Sequence, residues 1–189
     1  MNTLSKIIYK KYILANFIFY RYLFGINYAC HKLKFAHHSV IPDILKFLGA
    51  EIGDQLVCKE GLIIDNPQKD LSNLRIGKNV HIGKNVLLDL SNSIILEEEV
   101  ILSTGVIILT HSDCGDRMMS NFQTAKSDPV VIGKGSWLTA RVTILNGVHI
   151  GTCCLIASGS VITKHTSDYT VVGGIPGVVI KQLTPKGQP

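Results

Sequence analysis

The chain has 189 residues, 46% of them apolar, 17% charged and 7% aromatic, with 17 glycines and one Trp. This composition excludes a disordered segment and points to an aliphatic core unlike that of an aromatic-rich sandwich. The net charge of +5 is uneven: residues 1–50 hold seven Lys/Arg against one acid, Asp43, and residues 51–189 hold twelve against thirteen, so the main body offers no basic surface for nucleic acid.

Residues 7–30 are basic and apolar, but the longest uncharged apolar stretch, Tyr12 to Tyr20, is nine residues, and a span needs about 20. No small-residue cleavage site follows. The segment reads as a helix lying on something apolar: the rest of the protein, another subunit, or the inner face of a membrane. A second short helix is expected over Ile41–Leu48, with Pro42 near its start and Gly49 at its stop. The five cysteines, Cys30, Cys58, Cys114, Cys153 and Cys154, are odd in number and lack metal-ligand spacing, which suits a reducing, cytoplasmic setting.

From Ile52 a six-residue period takes over. Ile52, Cys58, Ile64, Asp70, Ile76, Ile82, Leu88 and Ile94 follow it, with Asp70 the clear failure. A two-residue slip moves the phase to Leu96, Leu102 and Ile108, and it resumes at Ile132, Leu138, Ile144, Ile150, Ile156 and Ile162. A small or apolar residue often sits two places earlier, as at Val80, Val100, Ser136, Val142 and Ser160. Two inward side chains per six residues describe a short flat strand, and Gly after the marker (Gly53, Gly77, Gly133, Gly151) marks a bend. Three units close a triangular coil of about 18 residues, and the coils stack into a parallel β-solenoid. A 3.6-residue helix would not keep such positions on one face.

The repeat breaks between Leu109 and Val130, where a polar stretch containing Asp113, Asp116, Arg117, Lys126 and Asp128 must loop out from one corner and return in phase. Long loops on rigid scaffolds tend to carry function.

Residues 52–183, above all Ile132–Lys164 and Val171–Leu183, resemble the hexapeptide-repeat acyltransferases, most closely the sugar and polysaccharide O-acetyltransferases such as the maltose and galactoside enzymes. The resemblance implies a mainly β chain: a left-handed parallel β-helix at 51–183, preceded by a helical segment at 1–50 and followed by a tail at 184–189, with a loop excursion at about 110–129. It implies a homotrimer, acetyl-CoA as cosubstrate, no metal, and direct acetyl transfer to a sugar hydroxyl, as in surface polysaccharide biosynthesis. The family's catalytic His stands at the start of the loop, which here is His111. An imidazole there can take the hydroxyl proton at neutral pH, with backbone N–H groups holding the oxyanion. Asp89 or Asp113 is a candidate to orient that ring or to bind acceptor. By the same resemblance Trp137, Thr139, Ala140, Ser158 and Gly159 flank the pantetheine arm, and Thr163 and Lys164 approach the coenzyme A phosphates. The Arg usual in the family's Gly-x-Pro-Ala-Arg is absent from Gly174–Val178, leaving Lys181 or Lys186 as substitutes.

Other readings stay open at this stage. Cys114, three residues from His111, is a weaker candidate as a nucleophile. A zinc enzyme of this fold would need companion histidines that His111 lacks. A serine or xenobiotic O-acetyltransferase, a nucleotide-sugar N-acetyltransferase, and a non-catalytic β-helix scaffold share the repeat.

Overall fold

The computed structural model describes residues 3–184. Lys186 and residues 185–189 of the expected tail lie outside the described residues.

Most markers end a strand of two or three residues, Ile64 and Leu88 sit in the middle of one, and the strands form three flat parallel faces. The first face stacks Glu51–Ile52, Leu74–Ile76, Ile94–Leu96, Val130–Ile132 and His149–Ile150. The second stacks Val57–Cys58, His81–Ile82, Ile101–Leu102, Trp137–Leu138, Leu155–Ile156 and Thr170–Gly174. The third stacks Ile63–Asp65, Leu87–Asp89, Ile107–Ile108, Thr143–Ile144 and Val161–Ile162. Markers meet markers in register, as in Ile76 on Leu96, Leu96 on Ile132 and Ile132 on Ile150. The markers from Leu96 to Ile162 are buried, and so are the residues two places before most of them, Ser136 and Ser160 included. Buried Ser136 is satisfied: its Oγ donates to the Gly151 carbonyl at 2.7 Å and accepts the Cys154 N–H at 2.9 Å. Coils this close leave no room at the bend. A Cβ on Gly133 would lie 2.6 Å from the Gly151 carbonyl carbon and oxygen.

Two helices close the first end of the stack. Helix α1, Thr3–Leu33, is interrupted at Gly25 (φ 82°), and α2 spans Ile41–Phe47. Ala29, Cys30 and Leu33 of α1 and Ile41, Ile44 and Leu45 of α2 are buried in one hydrophobic core with the first coils. The helical segment and the solenoid therefore share a core. Helix α2 begins at Ile41, as expected, and ends at Phe47, with Leu48 as its cap and Gly49 (φ 107°) following. His38 ties this cap to the first coil through Glu60 Oε1, 2.9 Å from its Nδ1. Among the described residues no helix is long and apolar enough to cross a membrane.

At the far end the chain leaves the repeat. Thr170–Gly174 still pairs parallel with Leu155–Ile156, but Gly177–Gln182 turns back antiparallel on it. The Val171–Leu183 stretch is thus a closing hairpin, not a further coil. Val178 stands on it 63% exposed.

Candidate functional site

All three breaks in the period fall at one corner, between the third face and the first. Twelve residues separate Ile64 from Ile76, eight separate Leu88 from Leu96 and 24 separate Ile108 from Ile132, where six would suffice. The extra residues of neighbouring coils lie one above another: Asp65 pairs with Asp89, and the Asp89 carboxylate reaches Thr110 and His111 on the next coil.

Asp89 is 1% exposed and gathers donors from three coils. Oδ1 accepts from Asn66 Nδ2 at 3.0 Å, Ser91 Oγ at 3.0 Å and the Ser91 N–H at 3.2 Å. Oδ2 accepts the Thr110 N–H at 2.7 Å and the His111 N–H at 3.1 Å, and it lies 2.7 Å from His111 Nδ1. Burial alone would raise the carboxyl's pKa. The hydrogen bonds from His111, Asn66, Thr110 and Ser91 outweigh it and hold the group well below the usual carboxylate range. An ionised carboxylate only accepts, so Nδ1 of His111 carries the proton and Nε2 carries the lone pair. Ser91 Oγ, 3.0 Å from Nδ1, shares that proton. The imidazole is 35% exposed at the mouth of the excursion.

The excursion itself is pinned at its base. His111–Ser112 pairs antiparallel with Lys126–Ser127, and Asn92 Nδ2 donates to the Ser127 carbonyl at 2.9 Å. Thr110 is fully buried, and its Oγ1 accepts the Asn92 N–H at 2.9 Å. Beyond this base Met118, Met119 and Phe122 are exposed.

The expected site residues divide into groups. His111 and Asp89 are brought together. Asp113 is not brought to the imidazole; its carboxylate accepts the Gly115 N–H at 2.8 Å and is exposed. Cys114 Sγ points to the Gln123 carbonyl, 3.7 Å away. Trp137 lies on the second face, its Nε1 donating to Ser103 Oγ at 2.9 Å. Thr139, Ala140, Ser158 and Gly159 cluster at the turn from the second face to the third: Ser158 Oγ donates to Thr139 Oγ1 at 3.0 Å, and the Gly159 N–H to the Ala140 carbonyl at 3.0 Å. Thr163 and Lys164 sit at the corner of His111, two coils on, around a concavity shared with Asn146 and His165. Within one chain the Trp137 group and His111 are thus a whole face apart, on the order of 15 Å for a strand and its bends.

Sequence reasoning missed Asn66, Ser91 and Thr110. The available signal was the polar Ser91-Asn92-Ser93 insertion at the phase slip; Thr110, two places after its marker, stands where the repeat elsewhere carries Lys78, Lys84 or Lys134, and nothing in the period marked it.

Two family models match: bacterial transferase hexapeptide (six repeats) over residues 129–164, and the hexapeptide repeat of succinyl-transferase over residues 73–110. A relative in Escherichia coli, carrying the name of a lipopolysaccharide biosynthesis O-acetyl transferase, is 34% identical over 74 residues, 38% of this chain and 38% of its own. A Staphylococcus aureus tetrahydropyridine-dicarboxylate N-acetyltransferase is 31% identical over 39% of this chain and 31% of its own length. The matches thus span less than half of these curated relatives. Among solved structures, a hexapeptide-repeat acetyltransferase of Vibrio cholerae complexed with acetyl-CoA has a TM-score of 0.71 at 22% identity, covering 82% of this chain and 86% of that one. A maltose O-acetyltransferase of Clostridium difficile has a TM-score of 0.63 at 25% identity, covering 84% and 87%.

Proposed function

We propose that this chain, whose repeats match the hexapeptide models, is an acetyl-CoA-dependent O-acetyltransferase that acts on a sugar hydroxyl, with His111 as general base. The reading rests chiefly on one observation: His111 Nδ1 lies 2.7 Å from a buried, ionised Asp89 at the base of the excursion. The pair fixes the ring and leaves Nε2 to receive the hydroxyl proton as oxygen attacks the thioester carbonyl. It also stabilises the imidazolium that results, which then returns the proton to the departing thiolate. An acetyl thioester is already activated, so the weak partner is the neutral hydroxyl, and a base answers that need without a covalent enzyme intermediate. Asp89 touches neither reacting partner in this scheme and is a positioning residue.

The coenzyme's place follows from the separation of the two groups. Trp137, Thr139, Ala140, Ser158 and Gly159 offer an exposed indole, hydroxyls and backbone groups suited to a neutral pantetheine arm. They reach His111 only if the corner of one protomer meets another protomer's excursion, which supports a homotrimer with one site in each cleft. Lys164, exposed at the His111 corner, supplies a positive charge for a phosphate, and Lys181 on the closing hairpin is the described candidate for the role of the missing Arg. The lipopolysaccharide-related name of the Escherichia coli relative favours a glycan acceptor in surface polysaccharide assembly.

The test is thiol release from acetyl-CoA across a panel of glycans, amines and serine. A glycan should be preferred, and His111→Ala should lower turnover at least about 10²-fold while coenzyme A still binds. Unchanged turnover rejects His111 as base, and a protein that binds no coenzyme A by calorimetry is a scaffold.

A further inference from the structure

We infer that the outward face of α1 docks on an anionic bilayer surface, holding the solenoid against the membrane. Helix α1 has two apolar sides. Phe17 is buried and Ile13 and Leu14 pack against the core, while Lys10 on this side pairs with Asp43 at 3.2 Å and Arg21 donates to the Lys69 carbonyl at 2.7 Å. At about 100° per residue, Ile8, Tyr12, Phe19, Tyr22 and Leu23 fall within an arc of about 100° on the opposite side. Those five are 60%, 65%, 54%, 90% and 56% exposed. The patch continues onto α2: Ile18, Tyr22 and Phe47 line one groove beside exposed Lys46.

The charge around this patch selects its occupant. Seven cations and one acid lie in the first 50 residues; that acid, Asp43, is already engaged by Lys10, and Asp70, which also lines the groove, lies beside Arg21 and Lys69. Lys11 stands exposed next to Tyr12, and Lys46 is exposed next to Phe47. A second copy would set one strongly positive patch against another, which is unfavourable. An anionic headgroup layer is attracted instead, by about 1 kcal/mol for each Lys or Arg near the surface. Tyr suits the headgroup level, where one end of the ring is dry and the other wet, and Phe and Leu suit the acyl boundary just beneath it. A helix with this face lies in the interface without crossing it.

The test uses the full chain and sedimentation with two vesicle types, pure phosphatidylcholine and a mixture with about one-quarter phosphatidylglycerol. The anionic vesicles should bind the protein at least about tenfold more tightly, and added salt should weaken the difference. Tyr12→Ser/Phe19→Ser/Leu23→Ser should lower anionic-vesicle binding about tenfold, and Lys11→Glu/Lys46→Glu should remove the preference for anionic lipid. All five side chains are exposed, so circular dichroism should show the fold intact, and thiol release with a soluble acceptor should be unaffected. Equal binding to both vesicles, no binding to either, or a triple variant that binds as the parent does would overturn the inference. So would a triple variant whose only change is the sedimentation of the free protein, because a second copy would then be the occupant.

Discussion

Replacing Asp89 by Asn tests whether the carboxylate holds the imidazole or merely fills a buried corner. The substitution keeps the shape and removes the charge. Oδ2 faces three N–H donors, from Thr110, His111 and the His111 ring, and Oδ1 faces Asn66, Ser91 Oγ and the Ser91 N–H. Asn must present its oxygen to the Oδ2 group and its NH2 to the other. Asn66 can flip and the Ser91 hydroxyl can reverse, but the Ser91 N–H is left facing a donor. A stranded donor of this kind costs about 1–3 kcal/mol. The bond to His111 survives in neutral form, losing about 1–2 kcal/mol of charge assistance to the imidazolium. At 1.36 kcal/mol per decade, that is a fall in kcat of roughly 5- to 30-fold. The KM for acetyl-CoA should stay the same, because Asp89 contacts none of the residues assigned to the coenzyme. The assay is steady-state thiol release in Asp89→Asn, His111→Ala and the double variant, with nitrogen NMR of the ring to read its tautomer. In the His111→Ala background Asp89→Asn should change kcat no further. If Asp89→Asn folds and keeps kcat within about twofold, or lowers kcat equally with and without His111, the positioning role is wrong. A parent enzyme whose His111 is the Nε2–H tautomer at neutral pH would refute it too.

Other expectations concern stability and reactivity. Because the folded Asp89 carboxyl lies below its ordinary value of 3.8, its contribution to stability is complete above the unfolded pKa and is lost as pH falls through the lower folded value. The melting-temperature gap between parent and Asp89→Asn should therefore narrow below about pH 4. Gly133→Ala forces a methyl to 2.6 Å from the Gly151 backbone, whereas Gly159 has open space around its missing Cβ and only a φ of 73° to oppose substitution. Urea denaturation should show a loss of about 1–2 kcal/mol for Gly159→Ala and a clearly larger one for Gly133→Ala. Burial pushes the thiols of Cys30 and Cys58 up to about 12, so iodoacetamide in native buffer should label exposed Cys153 first and leave those two until the chain unfolds.

The solenoid was readable because its markers obey one rule that water enforces. Each coil has only two inward side chains per face, and any polar marker must find a partner inside. Val80, Val100, Val142 and the Ile and Leu markers are thus legible one residue at a time. The excursion was legible as the place where the rule stops. What stayed hidden depends on distances that no period encodes. Asn66 and Ser91 are 25 residues apart in sequence, and only the stacking of Asp65 on Asp89 brings them to one carboxylate. The Val171–Leu183 stretch falls within the bounds that the resemblance gave the β-helix, yet Gly177–Gln182 turns back to pair with the last strand. The same apolar pattern serves a closing hairpin, and pairing partners, not side-chain character, separate the two. The two faces of α1 were equally hidden: the sequence shows a basic apolar helix, but which side α2 and the core cover is a matter of packing.

The corner between the third face and the first brings these threads together. A strict hexapeptide coil presents identical turns at every level, and identical turns cannot place a base, an acid and their donors in different orientations at one point. Chemistry requires the repeat to fail, and the failures must stack. Here the six extra residues after Asp65 supply Asn66, the two after Asp89 supply Ser91, and the eighteen after Ile108 begin with Thr110 and His111. A single two-residue deletion at the smallest of these, Ser91-Asn92, would restore the six-residue interval at this turn while removing both Ser91 donors to Asp89, one partner of the His111 ring and the Asn92 clamp on Ser127. Such a variant should keep the solenoid's thermal stability within about 2 kcal/mol and lose nearly all thiol-release activity. A deletion variant that kept its activity would show that the stacked irregularities are tolerated accidents, and that His111 needs no support from the coil beneath it.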